Sequence, residues 1–318
     1  MSNAIEIRGV VKTFGRKVAV RDLDLAVPEG SLHGFIGPNG AGKTTTIRMV
    51  MSIIFPDRGE LRVLGKRSAI ESKDRIGYLP EERGVYRKMK VGAFLRYMAT
   101  LKGHDGGAAL SRKIRDWLER VELGDVEKKK CEELSKGMQQ KVQFLSTILH
   151  EPDLLILDEP FSGLDPVNMR LMRDLFLEQH RAGRTIIFST HVMHQAEQLC
   201  DHIVMINRGE KVLDAPLEGI HEGHEPHAIH FDPVTVPDRR ALLAIEGVAS
   251  AEELDKHWEL ALDEGADPGE VMRHVLETTA VRRMEIPRPT LEDVFVDIVK
   301  ESVPMRPGAH AELAGGAA

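Results

Sequence analysis

From residue 5 to residue 214, two kinds of hydrophobic segment take turns along the chain. Short apolar runs without internal alternation, of which Leu154-Leu155-Ile156-Leu157 is the clearest, predict strands covered on both faces. Strands are expected over Ala4–Val11, Leu32–Gly37, Gly59–Leu64, Arg75–Leu79, Leu154–Leu157, Thr185–Ser189 and Ile203–Asn207. Apolar residues three and four apart predict helices over Lys43–Ile54, Val91–Leu101, Leu110–Val121, Lys136–Leu149, Pro166–Gln179 and Val192–Cys200. Three of these helices crowd between Tyr86 and His150 with no strand among them. That predicts a helical insertion, about 86–150, in an α/β core covering 1–214.

The pattern breaks between Ala215 and Pro226, where Pro216, Gly219, Gly223 and Pro226 sit among charges, and predicts a linker. Short elements then restart: strand His227–Phe231, helix Pro237–Ile245, strands Val248–Glu253 and His257–Leu262, helix Pro268–Thr278, strand Val281–Ile286, and a closing helix Leu291–Lys300. The order β-α-β-β-α-β predicts a small α+β domain of ferredoxin-like type over 227–302. The Gly-, Ala- and Pro-rich tail, 303–318, is expected to fray. No internal repeat is visible.

Composition narrows the setting. Of 318 residues 42% are hydrophobic and 29% charged, which suits two folded domains and excludes disorder of the whole. No apolar run reaches the roughly 18–20 residues needed to cross a bilayer, and Met1–Lys17 lacks the apolar core of a secretory signal. Two cysteines, Cys131 and Cys200, cannot make a disulfide framework and fit a reducing, cytoplasmic compartment. A net charge of −7, with Lys128-Lys129-Lys130 as the only dense basic stretch, argues against nucleic acid as a partner; that triplet reads as a solvated loop.

Two motifs carry chemistry. Gly37-Pro38-Asn39-Gly40-Ala41-Gly42-Lys43-Thr44, followed by Thr45, is a full G-x-x-x-x-G-K-[ST] pattern between a strand and a helix. Its glycines let backbone N–H groups curl round phosphate oxygens at a helix N-terminus. Lys43 is placed to reach β- and γ-phosphates and Thr44 to hold Mg²⁺, so ATP and Mg²⁺ are the expected ligands. At the end of the apolar strand Leu154–Leu157, Asp158 suits Mg²⁺ and Glu159 suits general-base work on the water that attacks the γ-phosphate.

A third group of residues distinguishes among P-loop proteins. Leu134-Ser135-Lys136-Gly137-Met138-Gln139-Gln140 opens a helix before that strand, Ser162-Gly163-Leu164-Asp165 follows Glu159, and His191 follows Ser189-Thr190. With these, the chain resembles the ATP-binding subunits of ABC transporters, matching in order their Walker A, signature, Walker B, D-loop and switch-histidine motifs. The resemblance implies an ATPase that dimerises head to tail, as a homodimer or heterodimer. In it, the signature (Leu134, Ser135, Lys136, Gly137, Met138) closes on the ATP held by the other subunit. It further implies that Asp165 of the D-loop (Ser162, Gly163, Leu164, Asp165) lies at the subunit contact. His191 would hold the γ-phosphate and attacking water, and Phe14 would stack on adenine, with a core phenylalanine as the rival reading. The partner implied is a separate membrane-spanning permease whose cytoplasmic helices dock near the helical insertion, which puts this chain at the inner face of the membrane.

The chain departs from that pattern in three places. Glu81 stands where the family has glutamine, and as a carboxylate it can still ligate Mg²⁺ while adding negative charge. Lys136 replaces the first signature glycine, and either adds a cation near the partner's γ-phosphate or points to solvent; Met138 replaces glutamine. The stretch Gly77–Tyr86 and the segment Pro289-Thr290-Leu291-Glu292-Asp293-Val294-Phe295 resemble bacterial sodium-export and drug-export ATPases that carry an extra C-terminal domain, implying export of a sodium ion or drug-like substrate. That domain is expected to sense an ion or steady the dimer. His221, His224, His227 and His230 recur every third residue, but Gly223 and Pro226 interrupt any helix that would align them; a solvated linker is the better reading than a metal site. A soluble ABC-type ATPase acting on ribosomes or DNA is the rival function, disfavoured because the chain has one P-loop and no coiled coil. A P-loop kinase or GTPase leaves Leu134–Gln140 and His191 without a purpose.

Overall fold

The structure, a computed structural model, describes residues 2–82, 84–222, 228–254, 257–287 and 290–302. The chain divides into two compact units between Leu217 and Glu218. In the first, β1 (Asn3–Phe14), β2 (Lys17–Pro28), β3 (Leu32–Ile36), α1 (Lys43–Val50), β4 (Arg58–Val63) and β5 (Ile76–Leu79) are followed by three helices, α2 (Val91–Leu101), α3 (Ala108–Arg120) and α4 (Lys136–Ile148). Then come β6 (Leu154–Asp158), α5 (Pro166–Arg181), β7 (Thr185–Thr190), α6 (Met193–Glu197), β8 (His202–Asn207) and β9 (Glu210–Pro216).

Six strands form the central sheet in the order β5-β6-β7-β3-β8-β9, parallel except for β9. Every residue of β3, β6 and β7 is buried, so β6 is an unbroken apolar run up to Asp158, while β3 also buries His33 and β7 also buries Thr185, Ser189 and Thr190. This order brings the carboxyl ends of β5, β6, β7 and β3 side by side, so the loops after Leu79, Asp158, Thr190 and Ile36 share one edge, where such sheets place ligands. A second, antiparallel sheet has the order β2-β1-β4. Its inward residues Leu23, Leu25 and Val27 join Ile5, Ile7 and Phe35 in one core. In the three-helix segment, α3 shows the amphipathic reason for its fold: Leu110, Ile114 and Leu118, four apart, are its buried residues.

Helix α7 (Leu217–Glu222) begins at that boundary, and the second unit continues with β10 (Ala228–Pro233), α8 (Arg239–Leu243), β11 (Val248–Leu254), β12 (His257–Leu262), α9 (Pro268–Thr278), β13 (Val281–Glu285) and α10 (Leu291–Ser302). Its antiparallel sheet, ordered β11-β12-β10-β13, is the ferredoxin-like arrangement. Ile229, Phe231, Trp258 and Leu260 on one sheet face pack with Leu242 of α8 and Val271 and Val275 of α9.

Several elements differ from the pattern read along the sequence. β2 was not expected, because Arg21, Asp22 and Asp24 break its apolar run; in the structure they face outward on a half-buried strand, with Asp22 at φ 39°. β9 was not expected either: it is a half-exposed edge strand joined to β8 by the two-residue turn Arg208-Gly209, both at positive φ. Helix α1 stops at Val50, not Ile54, because the amides of Ile53 and Ile54 both turn back to the Arg48 carbonyl while Ser52 takes φ 56°. Part of the expected linker is ordered: Ala215 and Pro216 complete β9 and Leu217–Glu222 is helical. Residues 223–227 and the tail 303–318 lie outside the described residues. His230 sits on β10 with Nε2 2.8 Å from Glu259 Oε2, so it is part of the sheet, not of a linker; His224 and His227 lie outside the described residues, as does the side chain of His221.

Two buried histidines give the first unit an acid sensitivity. His33, stacked on His202 at 4.5 Å between ring centres, is held down to about 4, first by burial and then by His202, with Asp214 opposing. His150 is also held down to about 4, chiefly by burial, although its ring N–H donates to the Ile76 carbonyl at 3.1 Å. Unfolded histidines titrate near 6.5, so between pH 6.5 and 4 the unfolded chain binds more protons than the folded one. Their contribution is therefore complete above pH 6.5 and is lost as pH falls towards 4, by up to about 1.4 kcal/mol per group for each pH unit. Melting temperatures measured from pH 7 to 4.5 should fall, and the fall should be shallower in His33→Phe; an unchanged slope would remove His33 as a source.

Candidate nucleotide-binding site

The loop after β3 is shaped by glycines that no other residue can replace cheaply. Gly37 has φ 150°, and a Cβ there would lie 2.1 Å from the Ile206 carbonyl oxygen; Gly42 has φ 117°, with a Cβ 2.6 Å from that of Ala19. Gly40 needs φ 79° but has open space around it. The loop is braced from the far side of the sheet: the Gly209 amide donates to the Ala41 carbonyl at 2.8 Å, and the Arg21 amide to that of Gly209 at 2.8 Å. Gly42 then caps α1 with no side chain bonded to its first amides, an arrangement suited to an anion. Lys43, 6% exposed, donates to the carbonyls of Gly37 at 2.7 Å and Pro38 at 3.3 Å. Burial lowers its ammonium pKa, opposed by the negative charges of Glu159, Asp158 and Glu81.

Acidic groups arrive from the neighbouring strand ends. Asp158 closes β6, and its Oδ1 accepts from Ser189 Oγ on β7 and from Thr44 Oγ1 at 3.3 Å. Its Oδ2 is buried without a partner among the described residues. A buried carboxylate oxygen left bare, with the Thr44 hydroxyl beside it, fits the hard-oxygen ligand set of a divalent cation. Glu159 takes φ 48° just past the strand, fixed by its amide's contacts with the Ser189 carbonyl at 3.1 Å and Ser189 Oγ at 3.2 Å. That turn brings Glu159 Oε1 to 3.8 Å from Lys43 Nζ and 2.9 Å from His191 Nδ1. An ionised carboxylate only accepts, so His191 Nδ1–H donates.

Phe14, Asn39, Gly40, Gly42, Lys43, Thr44, Thr45, Glu81 and Glu159 all line one open cleft of about 370 Å³. Phe14 is 51% exposed, with Lys12 Nζ 5.4 Å from its ring centre, so the rival reading of a core phenylalanine fails. Sequence reasoning missed Lys17 and Ala19, which line the cleft from β2, a strand it did not expect. It also passed over Ser189, which holds both acidic residues, and Tyr78, whose phenol is pushed up to about 12 by burial and by Asp158.

The helix-opening segment contributes no residue to the lining of that cleft. Ser135 is the N-cap of α4, accepting from the Met138 amide at 3.3 Å; Leu134 is buried and Lys136 exposed. Gly137 faces Leu164 and Asn168, so this segment and Ser162-Gly163-Leu164-Asp165 are neighbours. Asp165 is the N-cap of α5: its Oδ1 accepts from the amides of Asn168 at 3.0 Å and Val167 at 3.1 Å, and these bonds, that to Asn168 first, lower its carboxyl pKa.

Residues 20–162 match the family model of ABC transporters, and residues 216–299 that of the C-terminal domain of DrrA1-3-like ATP-binding proteins. The ABC transporter ATP-binding protein YhaQ of Bacillus subtilis is 40% identical over 93% of this chain and 98% of its own length. The chain belongs to the ABC transporter ATP-binding proteins. It is accordingly an ATP-binding subunit of an ABC transporter, and an ATPase. It is also similar to the Nod factor export ATP-binding protein I of Burkholderia lata, at 31% identity over 92% of this chain and 95% of that one. A solved ATP-binding subunit of an ABC transporter aligns with a TM-score of 0.64 at 30% identity, covering 69% of this chain and 92% of that one.

For this ABC subunit the glycine geometry sets unequal costs. Gly40→Ala meets only the left-handed backbone penalty, about 1–2 kcal/mol, whereas Gly37→Ala must also displace the Ile206 carbonyl. Denaturant titrations should show the larger loss for Gly37→Ala; equal losses would mean that the loop relaxes freely.

Proposed function

We propose that the chain is the ATP-hydrolysing subunit of an exporter, in which two such subunits close head to tail around two ATP molecules and drive a separate membrane-spanning permease. The observation that carries this reading is the meeting of Glu159 with both Lys43 and His191 at one carboxylate oxygen. In this reading the backbone of Gly37, Pro38, Asn39, Gly40, Ala41 and Gly42, with Lys43, Thr44 and Thr45, holds the phosphates, and Phe14 stacks on adenine. Thr44 and Asp158 would hold Mg²⁺, with Glu81 as a further oxygen ligand, and the bound ion would supply positive charge against that building on the β- and γ-phosphates. Glu159 takes a proton from the water that attacks the γ-phosphorus, and His191 orients that water and the γ-phosphate. The bond to the β-phosphate oxygen breaks, and ADP leaves with the electron pair.

Head-to-tail pairing is supported by the make-up of the cleft: none of Leu134, Ser135, Lys136, Gly137 or Met138 is among the residues that line it. Helix α4 has no acidic residue in its first turn and an exposed lysine there, which favours an incoming phosphate. Lys136 is exposed, which leaves it free to act as a cation toward a partner's γ-phosphate and equally to point to solvent. The contact at the D-loop would use the backbone and Ser162 more than Asp165, whose Oδ1 is engaged in capping.

A permease partner follows from the family, and no helix among the described residues is long and apolar enough to cross a membrane. We place the chain at the inner face of the cell membrane. Export, of a sodium ion or a drug-like molecule, is supported by the likeness of Gly77–Tyr86 to export ATPases and by the relative named for Nod factor export. The second unit, on the same reading, is an accessory domain that senses an ion or steadies the dimer.

Glu159→Gln should keep ATP binding and lose at least about 10²-fold in turnover, the scale of a general base; phosphate release at the wild-type rate would dismiss Glu159 from that role. Glu81→Gln should move the Mg²⁺ concentration at half-maximal turnover, and an unmoved value takes Glu81 off the metal. The assembly is tested by capturing tagged Glu159→Gln protein with Mg·ATP from gently solubilised native membranes. A stoichiometric multi-span protein is expected; ribosomal or DNA-repair proteins without one would overturn the transporter reading.

A further inference from the structure

Two glutamines on one face of α4 are bonded to the two loops that bring acidic residues to the cleft. Gln140 Nε2 donates to the Pro160 carbonyl at 3.1 Å, one residue past Glu159. Gln143 Nε2 donates to the Glu82 carbonyl at 3.1 Å, one residue past Glu81. Residues three apart share a helix face, and β5 and β6, whose ends carry these loops, are hydrogen-bonded neighbours. Gln140 and Gln143 are each 4% exposed, and Gln143 Oε1 has no partner among the described residues. An apolar side chain of the same length would fill this position without a bare acceptor, whose desolvation works against folding. Stability alone therefore gives no reason for an amide here. Its donor spans from a loop that faces the nucleotide cleft to a helix whose N-cap is Ser135.

We infer that Gln143 is a positioning residue that carries the state of the Glu81 loop to the signature segment at the start of α4. Charge in the cleft acts on Glu81. The Glu82 carbonyl moves with it, and the Gln143 amide passes the displacement to α4, two turns from Ser135. This inference rests on the nucleotide reading of the cleft and adds a route by which its occupancy reaches the surface offered to a second subunit.

The test uses the full chain with Mg²⁺ and a non-hydrolysable ATP analogue, and reads amide hydrogen exchange separately in residues 37–45 and 135–143. In the wild-type chain both segments should slow. In Gln143→Met the first should slow as before and the second should not, while turnover falls about tenfold at unchanged KM for ATP. Gln143→Leu, close in volume and without a donor, should behave like Gln143→Met. The inference is overturned if 135–143 responds equally in wild type and both variants, if Gln143→Leu behaves as wild type, or if both segments lose their response together. Absence of any response at 37–45 in the wild-type chain would instead overturn the nucleotide reading on which it rests.

Discussion

One ammonium group, that of Lys43, sets the terms for the rest of the ATPase unit. Placing it 6% exposed would be prohibitive without compensation, since a charge removed from water must find paired dipoles or opposite charge. The carbonyls of Gly37 and Pro38 supply the dipoles, and they can turn inward only because the loop's glycines accept positive φ. The opposite charge comes from β6, two places away in the sheet, which strand spacing puts roughly 10 Å distant. A long lysine side chain and the strained turn at Glu159 close that gap to 3.8 Å. Sheet order, loop geometry and strand-end chemistry are thus answers to one electrostatic requirement.

Much of this was legible in the sequence because it rests on local rules. Fully buried parallel strands leave apolar runs such as Leu154–Leu157, and the glycines before Lys43 announce a loop that needs positive φ. The strands that escaped notice, β2 and β9, are half-buried, and their identity depends on neighbours distant in sequence. Lys17 and Ala19 were lost as cleft residues for the same reason. Ser189 and Gln143 escaped for another: a serine on a strand or a glutamine on a helix carries no signal until its tertiary partner is known. In the second unit, short elements such as His257–Leu262 could be read because its apolar residues alternate, and β-α-β-β-α-β order constrains how four strands pair.

Helix α4 is where the polar interior is densest. From Gln140 to Ile148 every residue is buried, and Gln140, Lys141 and Gln143 all send side-chain donors to carbonyls outside their helix. Such a helix is located by hydrogen bonds as much as by apolar packing. Directional bonds fix its rotation and register, which a greasy surface of the same area would leave looser. On the proposed pairing, in which the start of α4 meets a phosphate, that distinction matters more than net stability.

The Arg208-Gly209 turn, far along the chain from the phosphate loop, holds the Ala41 carbonyl and the Arg21 amide together. On the proposed role of residues 37–45, nucleotide affinity would therefore depend partly on a hairpin that carries none of the family's named motifs. In directed evolution of this scaffold, diversity introduced at residues 207–210 would be spent on the phosphate loop, however peripheral the hairpin looks, and a fusion or epitope tag grafted there would act as a hidden active-site mutation.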